Sequence, residues 1–128
     1  MIAALALLLA ATQPAPIVAT PPADLRALPE LSLLRRPAEA AAPSGFVRDE
    51  VATGRCVVAT HPAGTNTLAV DLAVFVAGNG AVRRIMPRAI DCPTVEQYAV
   101  GIAARMTRDN VPAPGVDSWY RMTIAFAW

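Results

Sequence analysis

Trp119-Tyr120-Arg121-Met122-Thr123-Ile124-Ala125-Phe126-Ala127-Trp128, the last ten residues, decide the fold. In an extended chain Tyr120, Met122, Ile124, Phe126 and Trp128 fall on one side, and Arg121, Thr123, Ala125 and Ala127 on the other. A strict period of two over this length predicts a β-strand with one face against a core. The large side chains all sit on that face, so another layer must cover it.

Residues 94–106 supply the cover. Val95, Tyr98, Ala99, Ile102, Ala103 and Met106 recur at helical spacing and form one apolar stripe, with Glu96, Ala104, Thr107 and Arg108 on the other side. Thr94 is placed to accept from the first-turn amides, with Gln97 three residues later to reach back. Asn110 and Pro112 predict the end of the helix.

A second alternating stretch runs over 68–76. Leu68, Val70, Leu72, Val74 and Val76 share a face opposite Ala69, Asp71, Ala73 and Phe75. Ala77-Gly78-Asn79-Gly80 follows, and Asn-Gly suits a tight hairpin turn. A two-residue turn at Asn79-Gly80 predicts Val74 opposite Ile85 and Val76 opposite Arg83. The return strand covers about 81–86, and Pro87 ends it or confines it to an edge. An earlier strand is expected at about 55–60. The order strand, hairpin, helix, strand predicts a two-layer α+β domain, a small antiparallel sheet with one helix packed on it.

Three segments are expected along the 128 residues: a signal peptide at 1–19, a tether at 20–45 and the domain at 46–128. The run Met-Ile-Ala-Ala-Leu-Ala-Leu-Leu-Leu-Ala-Ala is as long as a signal-peptide core and about half of a membrane span, with cleavage expected after Ala19. The alternative is an apolar tail or a short buried helix. Seven of the twelve prolines fall at positions 14–43, and no aromatic residue precedes Phe46, so 20–45 has little with which to form a core of its own. One apolar patch there, 25–34, is able to dock as a helical turn, and Arg35-Arg36-Pro37 reads as a solvated break.

A domain of about 83 residues buries only roughly 60% of its unfolded surface and gains from a staple. Cys56 and Cys92 are the two cysteines, and in an oxidising compartment they are expected to form a disulfide. Without export, two buried thiols are expected instead. Their spacing is not that of a catalytic dithiol.

The formal net charge is +1, from 11 basic residues, all arginine, and 10 acidic ones. This balance offers no general electrostatic case for nucleic acid or an anionic membrane. The single histidine, His61, lies in a turn-like Thr60-His61-Pro62-Ala63-Gly64 and is read as a loop residue, not a metal ligand. Asp71 is expected to pair with Arg84 or Arg88 across the hairpin. No nucleophile elbow, phosphate loop or zinc-protease motif is present. Trp119 and Trp128, on opposite faces of one strand, read as core and edge cover, not as a carbohydrate platform. The chain is therefore expected to be non-catalytic, with no cofactor.

Over about 55–128 the pattern resembles the C-terminal domain of TonB-type energy transducers. The resemblance is carried by 68–76 with Gly78-Asn79-Gly80-Ala81-Val82 as hairpin, by Thr94-Val95-Glu96-Gln97-Tyr98-Ala99 at the helix start, by Asn110-Val111-Pro112 at its exit, and by the closing strand at 120–128. Asp91-Cys92-Pro93 replaces the family's Ser-Gly before the helix, and its Tyr-Pro near the domain start has no counterpart. The resemblance implies a periplasmic protein-interaction module in which an outer-membrane receptor's peptide adds as a strand beside the closing strand. The expected partner-binding edge is Arg121, Thr123, Ala125 and Ala127. The alternatives are an edge covered by the preceding segment, or by a second copy in a homodimeric envelope protein.

Overall fold

In the computed structural model, which describes residues 20–37, 43–58 and 66–128, Ser118–Ala127 form an edge strand. The elements are α1 (Gly45–Ala52), β1 (Thr67–Val76), β2 (Val82–Pro87), α2 (Pro93–Thr107) and β3 (Ser118–Ala127). The three strands make one antiparallel sheet in the order β2-β1-β3, and α2 packs on one face of it. This is the expected small α+β fold. The leader at 1–19 and His61 lie outside the described residues. No described helix is long and apolar enough to cross a membrane.

The sheet's helix-facing side is built by the alternating residues. Val70, Leu72, Val74 and Val76 of β1 and Met122, Ile124 and Phe126 of β3 are buried, with Tyr120 and Trp128 half-buried against them. From α2, Val95, Ala99, Ile102 and Ala103 join the same core. Thr107, expected on the solvent side, is also buried. Its hydroxyl donates to the Ala103 carbonyl at 2.8 Å, so the polar group is satisfied within the helix.

One helix about 10 Å across does not cover three strands spaced about 4.8 Å apart. The remainder is closed by α1, whose Val47 is fully buried, and by Leu31, Leu33 and Val51. Helix α1 replaces what the sequence suggested at this end of the domain. The strand expected at about 55–60 does not form over its described part: Cys56 follows α1 in a bend, and Val57 is 92% exposed. Two tight backbone bonds, from the Arg55 and Cys56 amides to the Glu50 carbonyl, fold this segment back on the helix instead.

The cap residue of helix α2 is Cys92, two residues before the expected Thr94, with Pro93 in the first turn. Thr94 does not cap. Glu96 does that work, its Oε2 accepting from the amides of Cys92 and Ile90 at 3.1 and 3.2 Å. The Thr94 hydroxyl is thereby free to donate to Glu50 Oε2 at 2.7 Å, tying α2 to α1.

The hairpin places Val74 opposite Ile85 as expected, but Val76 faces Val82, not Arg83. The loop has three residues, 78–80, because the Asn79 side chain accepts the Ala81 amide and Gly80 alone takes a left-handed φ of 89°. A bulge at Arg83 absorbs the extra residue, which keeps valine against the core and the guanidinium in water. A Cβ on Gly80 would lie 2.8 Å from the Val111 carbonyl. Gly80→Ala is therefore expected to cost about 2 kcal/mol in urea denaturation, from strain and from this clash. Unchanged stability would show that the loop relaxes into another turn.

The Pro/Ala-rich stretch is laid along the domain over 20–37. Residues 21–26, with a single 3-10 turn at Leu25–Ala27, pass over Ala73 and Met86 on the face away from α2. The chain then rounds the β3 edge and reaches the end of α2, where the Leu34 amide bonds the Asn110 carbonyl and the Asn110 side chain bonds Arg35 both ways, at 2.7 and 2.9 Å.

Candidate functional site

The β3 edge follows from the ladder. Trp128 and Asn66 exchange both backbone bonds, so the even-numbered residues of β3 turn their peptide groups toward β1. The odd-numbered ones, Arg121, Thr123, Ala125 and Ala127, turn theirs outward. These are the four residues expected at the edge from the sequence.

Each end of this row is occupied from within the chain. The Arg121 amide donates to the Pro29 carbonyl and its carbonyl accepts from the Leu31 amide, both at 2.8 Å, in a short parallel bridge centred on Glu30. The Ala127 amide donates to Ser44 Oγ at 3.1 Å. Between them, among the described residues, nothing pairs with the outward peptide groups of Thr123 and Ala125. Part of the edge is thus covered by the preceding segment, and a two-residue window is open.

The window lacks the devices that usually guard an edge strand. From Met122 to Trp128 there is no proline and no charged side chain, and the β1–β3 register has no bulge. Ala125 and Ala127 are exposed and so is Ala69 opposite, leaving a flat surface of small side chains. The other edge is guarded: β2 carries the Arg83 bulge and ends in Pro87. Thr123 also has a side-chain role, its hydroxyl donating to Asp71 Oδ1 at 2.7 Å. Asp71 meets Arg88, one of the two partners expected for it, at 3.9 Å.

Cys56 and Cys92 are brought together at the α1–α2 junction. Their Cα atoms are 5.3 Å apart and their sulfurs are in contact, a separation that a disulfide spans. The bond would join the bend after α1 to the first turn of α2. Beside it sits Glu50, 5% exposed, receiving Thr94 on one oxygen and the Arg55 guanidinium on the other at 2.9 Å. The Thr94 hydrogen bond holds the carboxyl below its usual 4.5, against the upward push of burial and with help from Arg55. The folded state then binds this proton less readily than the unfolded chain does. Its contribution is complete above the unfolded pKa and is lost as pH falls through the folded one. Melting temperature should hold steady down to about pH 5 and drop in more acid buffer, and Glu50→Gln should flatten that drop. An identical acid slope in wild type and Glu50→Gln would remove Glu50 from the account.

Phe46 packs tilted on Tyr98 and Tyr98 stacks on Phe126, with centroids 4.8 and 5.9 Å apart, and the Tyr98 hydroxyl donates to the Pro43 carbonyl. They anchor the α1 end beside the edge. Trp119 packs on Phe75 on the opposite face of the sheet, at 5.0 Å. Among the described residues no group of three or more His, Cys, Asp or Glu side chains is placed to hold a metal ion. No family model, curated protein or solved structure matches the chain.

Proposed function

We propose that the chain is an exported, non-catalytic interaction module that receives an extended peptide of a partner protein at the β3 edge, as the resemblance to TonB C-terminal domains implies. The observation that carries this reading is the open window at Thr123 and Ala125, two residues whose peptide groups face outward with no partner among the described residues. An added strand satisfies them at once. The parallel bridge at Glu30 supports the reading, because the same edge already accepts an extended segment of this chain. Export is supported by the apposed cysteines and by the apolar N-terminal run.

The test is a titration of isotope-labelled protein with peptides from the periplasmic segments of outer-membrane receptors. Shifts concentrated on the amides of Thr123 and Ala125 are expected. Peptide excess without any shift over 121–127 would contradict the reading. A stable dimer by sedimentation, with both amides protected, would assign the edge to a second copy instead.

A further inference from the structure

On the helix-covered face of the sheet, at the edge opposite β3, a groove of about 800 Å³ runs between α2 and β2. Ile85 and Val100 are half-buried in its lining, with Ala104 exposed beside them. Arg83 and Arg108, both exposed, stand on the same lining, and neither forms an ion pair among the described residues. Asp109 is the one carboxylate there. By the alternation of the ladder, Ile85 turns its N–H and C=O away from β1, between the Arg83 bulge and Pro87. We infer that this groove is a second docking site, for a short acidic peptide segment with an apolar anchor, independent of the β3 edge.

Charge complementarity selects the occupant. A second copy meeting this face symmetrically would set arginine against arginine. The chain's own undescribed segments offer one carboxylate among them, Glu39, since 1–19 and 59–65 have none. Nucleic acid needs a longer basic stripe than the three arginines of this lining, Arg83, Arg84 and Arg108, with an aspartate beside them. The groove opens to solvent between α2 and β2, which leaves an extended chain a way in. The guarded β2 edge admits one pair of backbone bonds at Ile85 and no long added strand. Recognition therefore falls on side chains: an aliphatic group against Ile85 and Val100, and carboxylates toward Arg83 and Arg108.

Fluorescein-labelled octapeptides of interspersed valine and aspartate provide the probe, with valine–lysine octapeptides and a single-stranded oligonucleotide of equal length alongside. The valine–aspartate peptide should bind, shift the amides of Ile85, Val100 and Ala104, and weaken as salt rises. Arg83→Glu with Arg108→Glu should lower its affinity at least tenfold, while the melting temperature stays near that of the wild type because both side chains are exposed. Equal binding of the lysine peptide, tighter binding of the oligonucleotide, or shifts confined to Thr123 and Ala125 would each overturn the proposal. The two sites are read from different amides, so failure here leaves the β3 reading untouched.

Discussion

Severing the link between Cys56 and Cys92 should lower the free energy of unfolding by about 4 kcal/mol, whether by reductant or by Cys92→Ser. The two residues are 36 apart in sequence, and a cross-link over that distance removes much of the unfolded chain's freedom. For a domain this small the loss is a large share of the whole, since stabilities of about 5–15 kcal/mol are usual. The effect should concentrate at the α1 end. There the buried cysteines, 3% and 2% exposed, hold the bend after α1 against the first turn of α2, beside the Glu50–Thr94 hydrogen bond and the Phe46–Tyr98 contact. Alkylation followed by intact mass checks the premise: protein from an oxidising compartment should take up no label until it is reduced, and then two. Two labelled thiols before reduction would remove the staple from the account.

Proline placed one residue apart on β3 should give opposite results. The Ile124 amide lies in the ladder with β1 and its side chain is 3% exposed, so Ile124→Pro removes a sheet bond and core volume together. A loss of about 3 kcal/mol or more is expected, and partial unfolding is the natural outcome. The Ala125 amide points outward and its side chain is exposed, so Ala125→Pro should cost about 1 kcal/mol or less while removing a donor from the open window. Urea denaturation separates the two. Ala125→Pro should keep the fold and lose peptide binding. Similar destabilisation by both substitutions would mean that Ala125 is itself in a ladder.

The elements that the sequence made plain are those whose own periodicity matches their burial. Met122, Ile124 and Phe126 alternate in β3, Val70 to Val76 alternate in β1, and Val95, Ala99, Ile102 and Ala103 repeat at helical spacing. That Arg121, Thr123, Ala125 and Ala127 share one side of β3 follows from the same alternation, because side chains and peptide groups keep the same period. What escaped depends on distant partners. Helix α1 has eight residues and only Val47 and Glu50 buried, so its stripe is faint. It is held by Thr94, 44 residues away, and by the cysteine pair. Valines at 57 and 58 suggested a strand, yet no neighbouring strand is there to pair with them over the described residues. Thr107, expected on the solvent side, and Asn110, expected only as a helix end, are both buried: an i−4 carbonyl satisfies the first and the backbone of Arg35 the second. No local pattern announces a bridge between Glu30 and Arg121.

Amide hydrogen exchange along β3 decides whether the edge is open. In the free protein the amides of Met122, Ile124 and Phe126 should exchange slowly through the ladder, and that of Arg121 slowly through Pro29, while those of Thr123 and Ala125 exchange fast. Protection of Thr123 and Ala125 equal to that of Ile124 in the peptide-free monomer would mean that the edge is already closed, and strand addition there would have no place to begin.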